Sequence, residues 1–356
     1  MVEVTTPSTP DHRGPVRQLR SLAIVVPFFN EAAGVEAFYR RLRAAVDPLG
    51  VACAFVFVDD GSRDETLRLI NGLADGDRRI TVLSLSRNWG HQMALTAGFD
   101  YVGEDVDAVI TMDGDLQHPP EVIAKMIRLY ESGADVVYGV RRENTGASPM
   151  KQVTSRAFNA LLAWSTDVRV VPGAADFRLM SLESVRVVRQ MREVHRYLRG
   201  MVPWAGFSSA VVVYDQAERH AGTPAYTWRR SLRLAQHGVF SFSVLPLHVI
   251  TWLGAGFAAI AGVYLTYVAW VAFNGRVVTG WPSVIGVLLI VSAFQFLALS
   301  ILAQYLGMVF EQAKQRPLYV LKQARQGQRA EAPRAAGTDS PSGLVLSYSD
   351  SERRIG

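Results

Sequence analysis

The chain of 356 residues contains one cysteine, Cys53, so no disulfide can form within it, as expected for a domain in a reducing compartment. Charge is missing over two long stretches. No Asp, Glu, Lys or Arg lies between Arg233 and Arg276, and none between Arg276 and Glu311. Each stretch exceeds the roughly 20 apolar residues that a helix needs to cross a bilayer. The opening residues, "MVEVTTPSTPDHRGPVRQLR", lack the apolar core of a secretory signal and read as a flexible leader, 1–20. There is no Gly-x-x-x-x-Gly-Lys loop, which argues against a P-loop nucleotide site, and no His/Cys cluster with zinc spacing. The net charge of +5 is accompanied by no nucleic-acid-binding motif, so no nucleic-acid partner is expected.

What is present begins with the two apolar stretches, which predict a transmembrane hairpin over 243–310, with helices at about 243–273 and 282–310. Arg229, Arg230 and Arg233 precede it and Lys314, Arg316, Lys322 and Arg325 follow it, while the loop "NGRVVTG" carries only Arg276. The positive-inside bias then places both ends in the cytoplasm, at an inner membrane. The segment 226–242, where Arg, Trp and Leu alternate, predicts an interfacial helix against the bilayer. Residues 311–329 read as a basic cytoplasmic segment and 330–356 as a disordered tail.

Residues 21–140 alternate short β-branched runs with amphipathic patterns. "LAIVVPF", "CAFVFVDD", "ITVLSLS", "DAVITMD" and "ADVVYGV" predict strands, with helices at about 31–46, 64–74, 89–102 and 119–132. Further strands are expected near 174–180 and 208–214. Nearly continuous apolar strands imply a mostly parallel sheet covered on both faces, an α/β domain of Rossmann-like type. Ligands of such sheets bind at the carboxyl ends of the strands. The polar residues at those ends are Pro27 and Glu31, Asp59 and Asp60, Arg87 and Asn88, Asp113 and Asp115, and Arg141 and Arg142. Two carboxylates one residue apart at the end of a buried run are costly unless a cation shares them. Asp113, Asp115 and Gln117 offer hard oxygen ligands, which suit Mg²⁺ or Mn²⁺ together with substrate phosphates.

The motifs "VVPFFNE", "VDDGSRDET", "SRNWGHQMALTAG", "MDGDLQHPPE" and "ADFRLMS" occur in that order. In this the chain resembles the family 2 glycosyltransferases of GT-A fold, above all the polyprenyl-phosphate group. That group includes dolichol-phosphate mannose synthase and bacterial undecaprenyl-phosphate glucosyltransferases. The resemblance covers about residues 20–325 and implies a GT-A catalytic domain over 21–225. It implies inverting, metal-dependent transfer of one sugar from a UDP- or GDP-linked donor to a polyprenyl phosphate, yielding a lipid-linked sugar for the cell envelope. Carried over by residue, Pro27, Glu31 and Asp60 line the nucleoside site, with Gly114 beside the donor. Asp113, Asp115 and Gln117 hold the metal, and Arg219 reaches the donor phosphates. Arg141, Lys151 and Ser155 receive the lipid phosphate, and Asp176 matches a carboxylate proposed as catalytic base.

Each assignment has a plainer alternative. Asp60 can cap the helix starting near Asp64, the basic loop 141–156 can be ordinary solvated surface, and Asp176 can form a structural ion pair with Arg178. His91 and His118 fall near the site, and neither is assigned as a ligand. Ala225 stands where relatives often carry lysine, with Arg229 or Arg230 as substitutes. Gly114 stands where they often carry alanine, a difference expected to matter little. Rival functions are a processive polysaccharide synthase, whose usual "QxxRW" is absent, a nucleotidyltransferase, whose glycine-rich loop is absent, and a non-catalytic membrane scaffold. Self-association stays open.

Overall fold

The structure is a computed structural model that describes residues 16–142, 171, 173–215, 245–274 and 280–326. These fall in two compact units, one drawn from 1–159, 168–225 and 317–356, the other from 160–167 and 226–316.

The first unit is an eight-stranded mixed sheet with helices. Its elements are β1 (Ser21–Phe28), α1 (Val35–Val46), β2 (Ala52–Asp59), α2 (Thr66–Gly76), β3 (Ile80–Leu85), α3 (His91–Tyr101), β4 (Ala108–Thr111), α4 (Ile123–Glu131), β5 (Val136–Arg141), β6 (Ala174–Ser181), α5 (Leu182–Gln190), α6 (Leu198–Trp204), β7 (Ser209–Tyr214) and β8 (Leu321–Gln326). The strand order is β7-β5-β6-β4-β1-β2-β3-β8. β1 pairs in parallel with β2 and β4, and β2 with β3. β6 runs antiparallel between β4 and β5, while β7 is parallel to β5. The sheet is therefore mostly parallel, as expected, with a reversed strand whose direction the apolar pattern of β6 cannot encode.

The strands form where they do because their runs are apolar on both faces, as helix-covered strands must be. In β1 every residue from Leu22 to Phe28 is buried. α1 and α4 each bury a single stripe: Val35, Phe38, Tyr39, Leu42 and Val46 on α1, and Ile123, Met126, Ile127 and Tyr130 on α4. Phe28 meets Phe38 and Phe57 edge-to-face, with ring centroids 5.7 and 5.4 Å apart. α3 lies hard against β1 of the sheet: a Cβ on Gly98 would come within 2.2 Å of Val25 Cγ1.

β8 departs from the sequence reading, which treats 311–329 as a basic segment. Leu321–Gln326 adds antiparallel to β3 at the sheet edge. Its sequence, LKQARQ, has no apolar run because an edge strand leaves much of its surface in water. Ser86 N–H also donates to Val320 O at 2.9 Å, and the Tyr319 hydroxyl to Asp100 Oδ2 at 3.0 Å.

The second unit contains α7 (Leu245–Phe273) and α8 (Trp281–Ala313). Phe257 of α7 packs on Phe294 of α8 with centroids 4.6 Å apart. Among the described residues one helix, Ile290–Ala313 within α8, is long and apolar enough to cross a membrane, with a mean hydropathy of 1.7. The interfacial segment 226–242 lies outside the described residues, as do the leader up to residue 15 and the tail from residue 327.

Candidate active site

Four loops leave the carboxyl ends of β1, β2, β3 and β4 and enclose a cleft of about 370 Å³. It is lined by Pro27, Phe28, Phe29, Glu31, Asp60, Asn88, Gly90, His91, Asp113, Gly114 and Asp115. The loops are tied to one another by side chains. Asn30, in a left-handed conformation at φ 54°, accepts the Arg63 N–H on Oδ1 at 2.9 Å. Its own N–H donates to Ser62 Oγ, and the Glu31 N–H donates to Thr66 Oγ1. A Cβ at Gly61, φ 67°, would lie 2.4 Å from the backbone of Arg87, so glycine permits the second and third loops to touch.

Asp60 is buried and accepts the backbone N–H groups of Trp89 and Gly90 at 2.7 and 2.9 Å. It holds the entry to α3 and does not cap α2, whose first turn is met by Asp64 Oδ1 accepting Thr66 N–H. Burial raises the pKa of Asp60, with those two amides pulling the other way.

The fourth loop turns sharply at Leu116, φ 62°, a strained conformation for a branched side chain. The turn is fixed at both aspartates, by the side chain of one and the backbone of the other. Asp115 Oδ1 accepts the Gln117 N–H at 3.0 Å, and the Asp113 N–H donates to His118 Nδ1 at 3.0 Å. His118 is buried, stacked on Phe177 with centroids 5.1 Å apart, and supports the loop from beneath. Among the described residues no donor reaches the buried Asp113 Oδ1, and His91 Nε2 is 3.6 Å away. A buried carboxylate oxygen left in that state calls for a cation.

Asp176, at the start of β6, is 3% exposed. Its Oδ1 accepts Arg178 Nη2 at 2.5 Å, and its Oδ2 accepts Arg199 Nη2 at 3.0 Å, with His91 Nε2 3.4 Å away. Burial opposes ionisation, but His91, Arg178 and Arg199 outweigh it and hold its carboxyl well below the usual range. Its backbone carbonyl accepts the Thr111 hydroxyl at 2.6 Å, which fastens β6 beside the loop of Asp113.

The sequence model described as "Glycosyl transferase family 2" matches residues 23–182, which contain the cleft and both carboxylate loops. A bactoprenol glucosyl transferase of Shigella flexneri, derived from prophage SfII, is 34% identical over 310 residues, 86% of this chain and 99% of that protein. The chain belongs to glycosyl transferase family 2. A prophage bactoprenol glucosyl transferase homolog of Escherichia coli K12 is 33% identical, over 85% of this chain and 99% of its own length. An uncharacterized glycosyltransferase of Synechocystis is 34% identical over 84% of this chain and 94% of its own length. Among solved structures, a mannosyl-3-phosphoglycerate synthase of Rubrobacter xylanophilus has 17% identity and a TM-score of 0.43, covering 62% of this chain and 72% of that one. That likeness is too low to build on. The protein is thus a glycosyltransferase of α/β GT-A fold, and the scaffold alternative is set aside.

Within this family 2 glycosyltransferase the structure gathers Pro27, Glu31, Asp60, Asp113, Gly114 and Asp115 into one cleft. Gln117 follows in the same loop, its N–H on Asp115. Arg141 ends β5, exposed, beside Tyr214 in the β5–β7 register. Lys151, Ser155, Arg219 and Ala225 lie outside the described residues. Gly114, expected to differ little from alanine, lies against an aromatic ring. A Cβ there would sit 2.3 Å from Phe28 Cε1, and Phe28 is itself wedged between Phe38 and Phe57. Sequence reasoning missed Arg199 and Gln92, whose amide lies 3.4 Å from Asp176 Oδ2. The only signal for Arg199 was "HRYLRG", a basic cluster opening a short helix.

Proposed function

We propose that this glycosyltransferase moves one sugar from a nucleoside diphosphate, UDP- or GDP-linked, to a polyprenyl phosphate, with inversion and with Mg²⁺ or Mn²⁺. The acceptor comes from the curated relatives named bactoprenol glucosyl transferases, which align with this chain over nearly their whole length. Those names also make a glucose-bearing donor the first to test. The observation that carries the chemistry is the orphaned Asp113 Oδ1, one residue from Asp115, in a cleft at the strand ends. Among the described residues no three His, Cys, Asp or Glu side chains form a metal cage. Two carboxylates completed by diphosphate oxygens, with Gln117 beside them, are what a hard divalent ion accepts. When bound, the ion supplies charge neutralisation for the departing diphosphate.

Pro27, Glu31 and Asp60 form the nucleoside end of the cleft, with Asp60 acting chiefly by holding the 88–90 loop. Arg219 would meet the donor phosphates, and Arg141, Lys151 and Ser155 the lipid phosphate. The attacking oxygen belongs to a phosphate, already ionised near neutral pH, so the reaction does not require a strong base. Asp176 is suited to a fixed anion's role: two guanidinium groups hold it ionised, which makes it a poor proton acceptor. The domain order inferred from the sequence, with a membrane hairpin of α7 and α8 and both chain ends in the cytoplasm, is part of the same proposal. It puts the cleft where nucleotide sugars are made.

Asp115→Asn removes one anionic ligand from the pair and is expected to lower transfer at least a hundredfold with an unchanged melting temperature. Chelation should reproduce the loss in the wild type. Transfer that persists through both would end the metal reading.

A further inference from the structure

Asp176 has two arginine partners, and they are not equivalent. Arg178 is 2% exposed, and its Nη1 donates to Leu198 O at 3.1 Å, so it is spent on holding β6 to α6. Arg199 leaves 43% of its side chain exposed and reaches Asp176 Oδ2 with Nε and Nη2, at 3.3 and 3.0 Å. Its Nη1 has no acceptor among the described residues. One carboxylate cannot neutralise two guanidinium groups, so the cluster carries surplus positive charge beside the cleft.

The nearest acidic residues that could absorb the surplus are those of the fourth loop. Asp113 acts on Arg199 electrostatically, and Arg141, Arg199, Asp113 and Asp115 all act on the hydroxyl of Tyr214. Those carboxylates are the pair that takes the divalent ion. With those carboxylates so engaged, Arg199 keeps only the Asp176 carboxylate that it shares with Arg178. A planar fork with a free edge, fixed from behind by a buried carboxylate, is the form in which arginine binds phosphate oxygens.

We propose that Arg199 is a phosphate-binding residue of the transfer reaction and that Asp176 is the residue that positions it. The phosphate is either the monoester of the lipid acceptor or the diphosphate of the donor. This rests on the polyprenyl-phosphate reading above.

The test uses the full-length protein in detergent. Binding of UDP with Mn²⁺ and binding of farnesyl phosphate are titrated separately for the wild type, Arg199→Gln and Arg199→Lys. Arg199→Gln is expected to weaken one ligand at least tenfold and leave the other within twofold. Loss confined to farnesyl phosphate assigns Arg199 to the acceptor, and loss confined to UDP assigns it to the donor. Unchanged affinity for both ligands overturns the proposal, and so does equal loss of both. If Arg199→Gln fails to fold, Arg199→Lys decides, because it keeps a charge on Asp176 without the fork: weaker binding of one ligand supports the proposal, and wild-type binding overturns it. Asp176→Asn should weaken the same ligand and add nothing in the double variant; additive losses would detach Asp176 from Arg199. Failure of the underlying reading looks different. It appears in the wild type, as no lipid-linked product from any nucleotide sugar, while the UDP titrations still report on Arg199.

Discussion

The ring of Phe28 occupies the space that a Cβ on Gly114 would need, and two aromatic neighbours, Phe38 and Phe57, pack against it. Gly114→Ala should therefore cost about 1–3 kcal/mol in stability, as overpacking does, and shift the carboxylates on either side. A lowered melting temperature together with lowered transfer is expected, and a wild-type melting curve would show that the ring can yield. A second residue-scale effect is acid sensitivity away from the cleft. Burial pushes the Asp77 carboxyl up, but hydrogen bonds from Arg79 and the Tyr39 hydroxyl outweigh it and bring it to about 2. The folded pKa lies below the ordinary value of about 4, so this stabilisation is complete above that pH and is lost as pH falls toward 2. Asp77→Asn should flatten the dependence of unfolding stability on pH between about 5 and 2. A slope as steep as the wild type's would assign the acid sensitivity elsewhere.

At the scale of elements, α3 links the cleft to the far side of the domain. Its first residues, His91 and Gln92, face Asp176, and its last turn is held from outside. Arg189 of α5 donates to the carbonyls of Phe99 and Val102, and Arg192 pairs with Asp100 at 2.7 Å. Tyr319, just ahead of β8, donates to the same half-buried Asp100. Burial and the neighbouring Asp100 carboxylate raise the Tyr319 pKa, which keeps its hydroxyl protonated as the donor. Tyr319→Phe removes that donor and should cost about 1 kcal/mol, read as a small fall in melting temperature. An unchanged melting temperature would mean that Arg192 alone satisfies Asp100.

For the whole molecule the proposed membrane hairpin turns on which side of the membrane the cleft would occupy. The basic residues flanking the apolar stretches argue for the cytoplasm. With Cys53 replaced, a cysteine at Gly275 or Thr279 should react with an impermeant thiol reagent in intact cells. A cysteine at Gln326, exposed in β8, should react only after the membrane is opened. The opposite pattern would place the cleft outside, away from nucleotide sugars. Labelling at Gly275 only after opening would instead argue against two spans.

Much of this protein could be read directly from the order of its residues. The apolar runs ending in Pro27, Asp60 and Asp113 located the strands, and the helix-covered sheet then placed their polar ends on one edge, because a parallel strand offers its carboxyl end to ligands. The two uncharged stretches fall on α7 and α8, of which one segment among the described residues, Ile290–Ala313, is long and apolar enough to cross a bilayer. Tertiary structure decided what depends on contacts between distant segments. β8 became a strand only because β3 offered an open edge to a polar sequence with no apolar pattern of its own. Asp60 was turned toward the Trp89 and Gly90 amides when Gly61 let two loops touch. Asp176, whose pairing with Arg178 the sequence offered, gained a second guanidinium because α6 carries Arg199 to it across 23 residues. Ion pairing of that kind is fixed by distance and burial, and neither is written in the local sequence.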